Sequence, residues 1–120
     1  MKTKLLANLF VLLGCLSCGS STDALIGEWV KNNYDHRFFN ADGSYREVYI
    51  NATTGAIDTF DLRGSYKVLG STLVFSIREN VHDPATSVTN PTNTVRFEQT
   101  GPTTLVLTFQ DGTTGTYIKK

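Results

Sequence analysis

A chain of 120 residues has room for one domain. Eleven Lys and Arg balance eleven Asp and Glu, so the formal net charge is zero, and a nucleic-acid partner, which wants a basic excess on one face, is excluded. With 40% hydrophobic, 11% aromatic and only 18% charged residues, the chain is not a disordered tail, yet it is too short for a large multilayer enzyme.

Residues 1–18 read MKTKLLANLFVLLGCLSC. Lys2 and Lys4 make a positive start, and Leu5 to Leu13 form an apolar run broken only by Asn8. The run falls short of the roughly 20 apolar residues a membrane-spanning helix needs. A positive start, a short apolar middle and a small residue before a cut are the marks of an export signal. Both cysteines, Cys15 and Cys18, fall at its end, which leaves no disulfide framework or cysteine metal site for the body of the protein. Leu12-Leu13-Gly14-Cys15 resembles the bacterial lipobox, in which a small residue precedes a cysteine that becomes diacylated and N-terminal. Cys18, after Leu16-Ser17, is the competing site. Each acyl CH₂ buried in a bilayer contributes about 0.8 kcal/mol, so two or three chains anchor firmly. Cleavage before Cys15 removes Lys2 and Lys4 and leaves 9 basic against 11 acidic residues, a net of −2. Without a polybasic patch, attachment rests on the lipid alone. The chain thus divides into a signal with its lipobox (1–18), a tether (19–24) and a folded domain (25–120).

Ser21-Thr22-Asp23 can cap a turn holding Ala24, Leu25 and Ile26, which Gly27 ends. Beyond it no 3.6-residue period is sustained; Val, Ile, Thr, Phe and Tyr dominate, punctuated by Gly, Asn and Asp. Strands are predicted over Gly27–Tyr34 and His36–Asn40, then, after an Asn40–Gly43 turn, over Ser44–Ile50. Asn51–Gly55 turns the chain into Ile57–Arg63 and Ser65–Leu69, and Gly70-Ser71 leads into Thr72–Glu79. Thr94–Thr100, Thr103–Gln110 and Thr113–Lys119 follow, separated by Gly101-Pro102 and Asp111-Gly112. The segments number nine, or eight if Gly27–Asn40 is one bent strand or the last is only an edge. Leu73, Phe75 and Ile77 alternate with polar or outward positions, as do Leu105, Leu107 and Phe109, the pattern of a half-buried antiparallel sheet. Short links favour a meander. A meander of eight short strands with one apolar face hides its edges by closing into a barrel, whose interior is filled by side chains or holds one small ligand. The stretch from Asn80 to Asn93 carries two prolines and breaks the rhythm; it reads as a hairpin tip or as a lid.

Leu25-Ile26-Gly27-Glu28-Trp29, Phe39-Asn40-Ala41-Asp42-Gly43 and Gly64-Ser65-Tyr66-Lys67-Val68 follow one another in an order that resembles the lipocalin-like small lipoproteins of Gram-negative bacteria. The likeness covers about residues 25–118 and implies an all-β, antiparallel up-and-down barrel of eight strands behind the signal segment. It implies that Gly27 and Trp29 are the barrel signature, that Trp29 plugs the closed end, and that Lys119 or Lys120 covers its ring. It also implies a place in the cell envelope, on the periplasmic or surface face of the outer membrane, and a small apolar or amphipathic ligand in the barrel. Strands of about seven residues make a barrel only about 23 Å tall, which limits any cavity.

The histidines, His36 and His82, come without CxxC or HExxH spacing and do not read as a metal site. Asp58 and Asp61, three apart on a strand, face opposite sides and do not form a carboxylate pair. Glu47 beside Arg46, and Asp61 beside Arg63, read as surface charges. No nucleophile elbow, phosphate loop or dinucleotide fingerprint is present, so the sequence gives no ground for an enzyme and calls for no cofactor. Phe38, Phe39, Tyr45, Tyr49, Phe60, Tyr66, Phe75, Phe97, Phe109 and Tyr117 fill a core or line a cavity. In a cavity the candidate ligand contacts are Phe60, Tyr66, Phe75, Phe97 and Phe109. Two functions are compatible with this pattern: a lipid-anchored binding barrel, or a filled barrel that docks an envelope protein through a loop face or sheet edge.

Overall fold

A computed structural model of the protein describes residues 23–85, 88 and 92–120. The segment expected to be an export signal, with Cys15 and Cys18, lies outside them. Eight strands run in chain order: β1 (Gly27–Lys31), β2 (Asp35–Phe39), β3 (Ser44–Ile50), β4 (Ile57–Leu69), β5 (Thr72–Asn80), β6 (Thr92–Gln99), β7 (Thr104–Thr108) and β8 (Thr114–Lys119). Each pairs antiparallel with the next, and β8 returns to β1, so the sheet closes as an up-and-down barrel. The expected fold class is what the chain adopts.

The strands number eight for a reason other than the ones expected. Ile57–Arg63 and Ser65–Leu69 are one strand, β4, running through Gly64. Register shifts at this point against β5. A methyl group on Gly64 would overlap the Ser76 carbonyl oxygen and lie 2.8 Å from Ile77 Cα. The glycine therefore lets the two backbones approach where the sheet bends to close, and it joins segments that it seemed to separate. β1 is shorter than expected, ending at Lys31 rather than Tyr34. Asn32 and Asn33 both take positive φ (59° and 56°), and Tyr34 N donates to Lys31 O at 3.1 Å. These are the marks of a tight hairpin turn, built on the residue type that best tolerates that backbone after glycine.

Alternate residues face inward, and the inner face is apolar at one end. Leu25, Trp29, Phe39, Leu73, Leu105 and Leu107 are fully buried there. Phe39 packs edge-on to Tyr66 with ring centroids 5.0 Å apart, and Tyr45 lies 4.4 Å from Phe75. Such pairs add about 0.5–1.5 kcal/mol each to the area they bury. The Asp23–Leu25 helical turn closes this end. Trp29 Nε1 donates to Leu25 O at 2.8 Å, and Lys119 Nζ sits 5.6 Å from the centre of the Trp29 ring. Lys119, not Lys120, covers the ring; Lys120 Nζ reaches Glu28 instead, at 3.7 Å. Gly27 has φ +138°, and a side chain there would come 2.8 Å from Lys119 Cε. The Gly-x-Trp spacing thus clears a path for the lysine that caps the tryptophan.

Candidate functional site at the open end

At the opposite end the inner face turns from apolar to charged. Counting back along β2 from buried Phe39, the inward positions are Arg37 and Asp35; counting forward along β3 from Tyr45, the next is Glu47. Arg37 Nε and Nη2 donate to the two carboxylate oxygens of Asp35 at 3.2 and 3.3 Å. Arg37 Nη1 lies 3.4 Å from both the Tyr45 hydroxyl and Glu47 Oε1. Tyr45 in turn donates to Glu47 Oε1 at 2.8 Å, and Tyr117 donates to Asp35 Oδ2 at 2.6 Å. The guanidinium also lies over two rings, 5.2 Å from the centre of Tyr117 and 5.6 Å from that of Phe109. Two carboxylates, one guanidinium and two phenols form a connected network inside the barrel.

Burial of this kind is tolerated only when each group is partnered. Burial disfavours the Arg37 charge, but the Tyr45 hydroxyl and the Glu47 and Asp35 carboxylates hold its pKa well above the ordinary value. Burial pushes the Tyr45 and Tyr117 hydroxyls up, more than Arg37 pulls them down, so both remain protonated donors.

Above the network lies a recess of about 190 Å³, lined by Arg37, Glu47, Leu62, Phe75, Ile77, Val88 and Asn93. It has an apolar wall from β4 and β5 and a charged floor, and it sits beside the segment joining β5 to β6. Nearby, Tyr49 stacks between Tyr34 and Phe60, with centroids 4.8 and 4.3 Å apart. The Tyr34 hydroxyl donates to Asp58 Oδ2 at 3.0 Å.

Of the five aromatic residues expected to contact a ligand, Phe75 lines the recess. Tyr66 lies near the closed end, where its hydroxyl donates to Asn40 O at 2.9 Å. Phe97 and Phe109 pack against the core from its margin, and Phe60 belongs to the Tyr49 stack. Phe38 faces outward, under the Arg46 guanidinium. Glu47 is not the surface charge expected from its neighbour Arg46, because the alternation of β3 sends the two to opposite faces. Asp35 and Arg37 were missed because a hydrophobic pattern assigns charged residues to the outside. Their period-two spacing from Phe39 was the available signal.

Asp61 also departs from the surface-charge reading. It lies on the outer face yet is 1% exposed. Arg46 clasps both its oxygens at 2.9 Å, and Arg63 adds bonds of 3.3 and 3.1 Å. Burial would raise the Asp61 pKa, but the bonds from Arg46 and Arg63 prevail and lower it to about 2. Its backbone N–H donates to Asn80 Oδ1, and its carbonyl accepts from Val81 N, so this knot fixes the start of the β5–β6 connection. His36 pairs with Glu28 on the outer face, Nδ1 to Oε2 at 2.7 Å. Among the described residues no group of three or more His, Cys, Asp or Glu is placed to hold a metal, and no helix is long and apolar enough to cross a membrane.

No family model matches the sequence, and no curated protein does. Among solved structures, a lipocalin-like protein from Bacteroides uniformis superposes with a TM-score of 0.62, covering 81% of this chain and 99% of its own, at 16% identity. The fold is thus a lipocalin-like, eight-stranded antiparallel barrel.

Proposed function

We propose that the protein is a lipid-anchored, lipocalin-like binding protein of a bacterial envelope, and that it takes a small amphipathic ligand at the open end of its barrel. The observation that carries this reading is the recess of about 190 Å³ with an apolar wall and a charged floor. Four apolar residues, Leu62, Phe75, Ile77 and Val88, share the lining with Arg37, Glu47 and Asn93, and convergent polar groups beside an apolar wall fix the orientation of a small molecule. The opposite end is plugged by Leu25 and Trp29, so the open end is where a ligand would enter. Phe75 contacts the ligand directly in this reading, and Phe60, Phe97, Phe109 and Tyr66 shape the barrel around it. The anchor is the acylated Cys15, or Cys18 in its place, holding the chain to the outer membrane of a Gram-negative cell.

Native mass spectrometry on the protein purified gently from its host tests the ligand. A retained small molecule supports the reading; a clean apo mass with no uptake of apolar or amphipathic probes counts against it. Labelling with a fatty acid, in the native chain and in Cys15→Ala and Cys18→Ala variants, tests the anchor and identifies the acylated cysteine.

A second reading has its own observation. A groove of about 630 Å³ crosses the outer face between Val30, His36, Ile50 and Ile118, and Ile118 is 53% exposed. An envelope protein docked there would place this chain among interaction lipoproteins. Crosslinking in cells from a photoreactive residue at position 118 tests it.

A further inference from the structure

We infer that the recess is selective for the head group of its ligand and takes a short-chain primary amine, with Glu47 as the counter-ion of the ammonium. This rests on the ligand-binding reading above and specifies its chemistry.

Two charged side chains line the recess, Arg37 and Glu47. They are not equally available. Arg37 is engaged on all three nitrogens, with Nε and Nη2 on Asp35 and Nη1 on Tyr45 and Glu47. Its forked pairing with Asp35 already satisfies the geometry a carboxylate ligand would seek. Glu47 uses one oxygen for both its contacts, Oε1, which faces Arg37 Nη1 and the Tyr45 hydroxyl. Its Oε2 receives no hydrogen bond from the described residues. A carboxylate has about four acceptor positions on its two oxygens, so among the described residues Glu47 retains acceptor capacity at the wall of the recess. Its side chain is 17% exposed, against 8% for that of Arg37.

A ligand carboxylate would add a third anion beside Asp35 and Glu47, in surroundings where like charges are poorly screened. The second interior cation, Lys31, has its Nζ 5.7 Å from the centre of the Tyr117 ring and does not line the recess. Asn93, which also lines the recess, supplies an amide oxygen that can accept a further N–H. Leu62, Phe75 and Ile77 leave an apolar path for the tail. A volume of about 190 Å³ equals about six waters at liquid density, which suits a chain of about six carbons or one aromatic ring.

Isothermal titration of the purified full chain at pH 7 with hexylamine, hexanol and hexanoic acid tests this. Hexylammonium should bind at least ten times more tightly than hexanoate. Glu47→Gln should weaken hexylammonium at least tenfold and leave hexanol within about twofold. Equal binding of all three probes to the native chain, or preference for hexanoate, would overturn the inference while leaving a ligand site in place. Binding of hexylammonium undiminished in a folded Glu47→Gln variant would overturn it as well. Failure of all three probes would remove the ligand-binding reading itself. The three-probe comparison on the native chain stands even if Glu47→Gln does not fold.

Discussion

The Tyr117 hydroxyl and the Asp35 carboxylate meet at 2.6 Å inside the barrel, across 82 residues of sequence. They belong to β8 and β2, which flank β1. The pairing of β1 with β8 that closes the barrel comprises Trp29 with Lys119 and Val30 with Ile118, so the seam is short in backbone bonds and is bridged from within by a side-chain pair. Tyr117→Phe removes this bridge and keeps the ring. A hydrogen bond to a charged group contributes about 1.5–3 kcal/mol, and in a domain of this size that corresponds to a fall in Tm of about 7–15 °C. The single tryptophan, Trp29, is fully buried, and its emission reports the transition. An unchanged Tm would show that backbone pairing alone holds the seam.

Arg37 is the common partner of two carboxylates, the buried Asp35 and the half-buried Glu47. Arg37→Leu leaves Asp35 and Glu47 without the cation they share, which should cost about 3–5 kcal/mol. Arg37→Lys keeps the charge but loses the fork and should fall between the two. Urea unfolding orders the three proteins; equal stability of Arg37→Leu and the native chain would mean that water relieves the carboxylates.

Asp61 gives the stability of the barrel a dependence on acid. Its pKa is lowered from 3.8 to about 2 in the folded chain, because the bonds from Arg46 and Arg63 outweigh the opposing effect of burial. The folded state therefore holds this proton more weakly than the unfolded state. Its contribution is fully present above about pH 4 and is lost as the pH falls toward 2. The shift corresponds to about 2 kcal/mol, reduced by solvent around the partly exposed guanidiniums. Asp42 and Asp111, lowered by bonds from Ser44 and Thr113 in their turns, act in the same direction. Asp61→Asn isolates the effect: its stability should fall less than that of the native chain between pH 4 and pH 2. Parallel pH curves for the two proteins would remove Asp61 from the account.

Gly64 and Gly43 should respond differently to alanine. At Gly64 the new methyl meets the backbone of Ser76 and Ile77, which cannot move without breaking the β4–β5 ladder. The loss should exceed about 3 kcal/mol. At Gly43 nothing lies within 4 Å, and only the φ of +88° opposes a side chain, so the cost should be about 1 kcal/mol. Denaturation midpoints of the two variants test the order.

Legibility in the sequence followed the hydrophobic pattern. Where inward residues are apolar, as at Leu73, Phe75, Leu105 and Leu107, alternation showed the strand and its face. The Asn40–Gly43 turn announced itself through its residues, and Gly43 N does donate to Asn40 O at 3.0 Å. The interior charges escaped because Asp35, Arg37 and Glu47 are inward for a reason no single residue displays: each is paired with a residue on another strand or at another inward position. A buried ion network is a property of register, and register emerges only when the barrel closes. Gly64 misled for the opposite reason. A lone glycine in a strand pattern marks either a break or a close approach, and the deciding neighbour, Ser76, sits on the next strand.

The two ends of the barrel differ in what reaches them. The Asp23–Leu25 turn enters at the plugged end, where Gln99 Nε2 and Lys119 Nζ both donate to the Ala24 carbonyl. A chain held to a bilayer through an acylated cysteine a few residues before that turn would stand with its plugged end toward the lipid and its recess toward water. Cargo would then arrive from the aqueous compartment rather than by lateral diffusion from the membrane, and the rate of its capture would be set by dissolved concentration and not by partitioning into lipid.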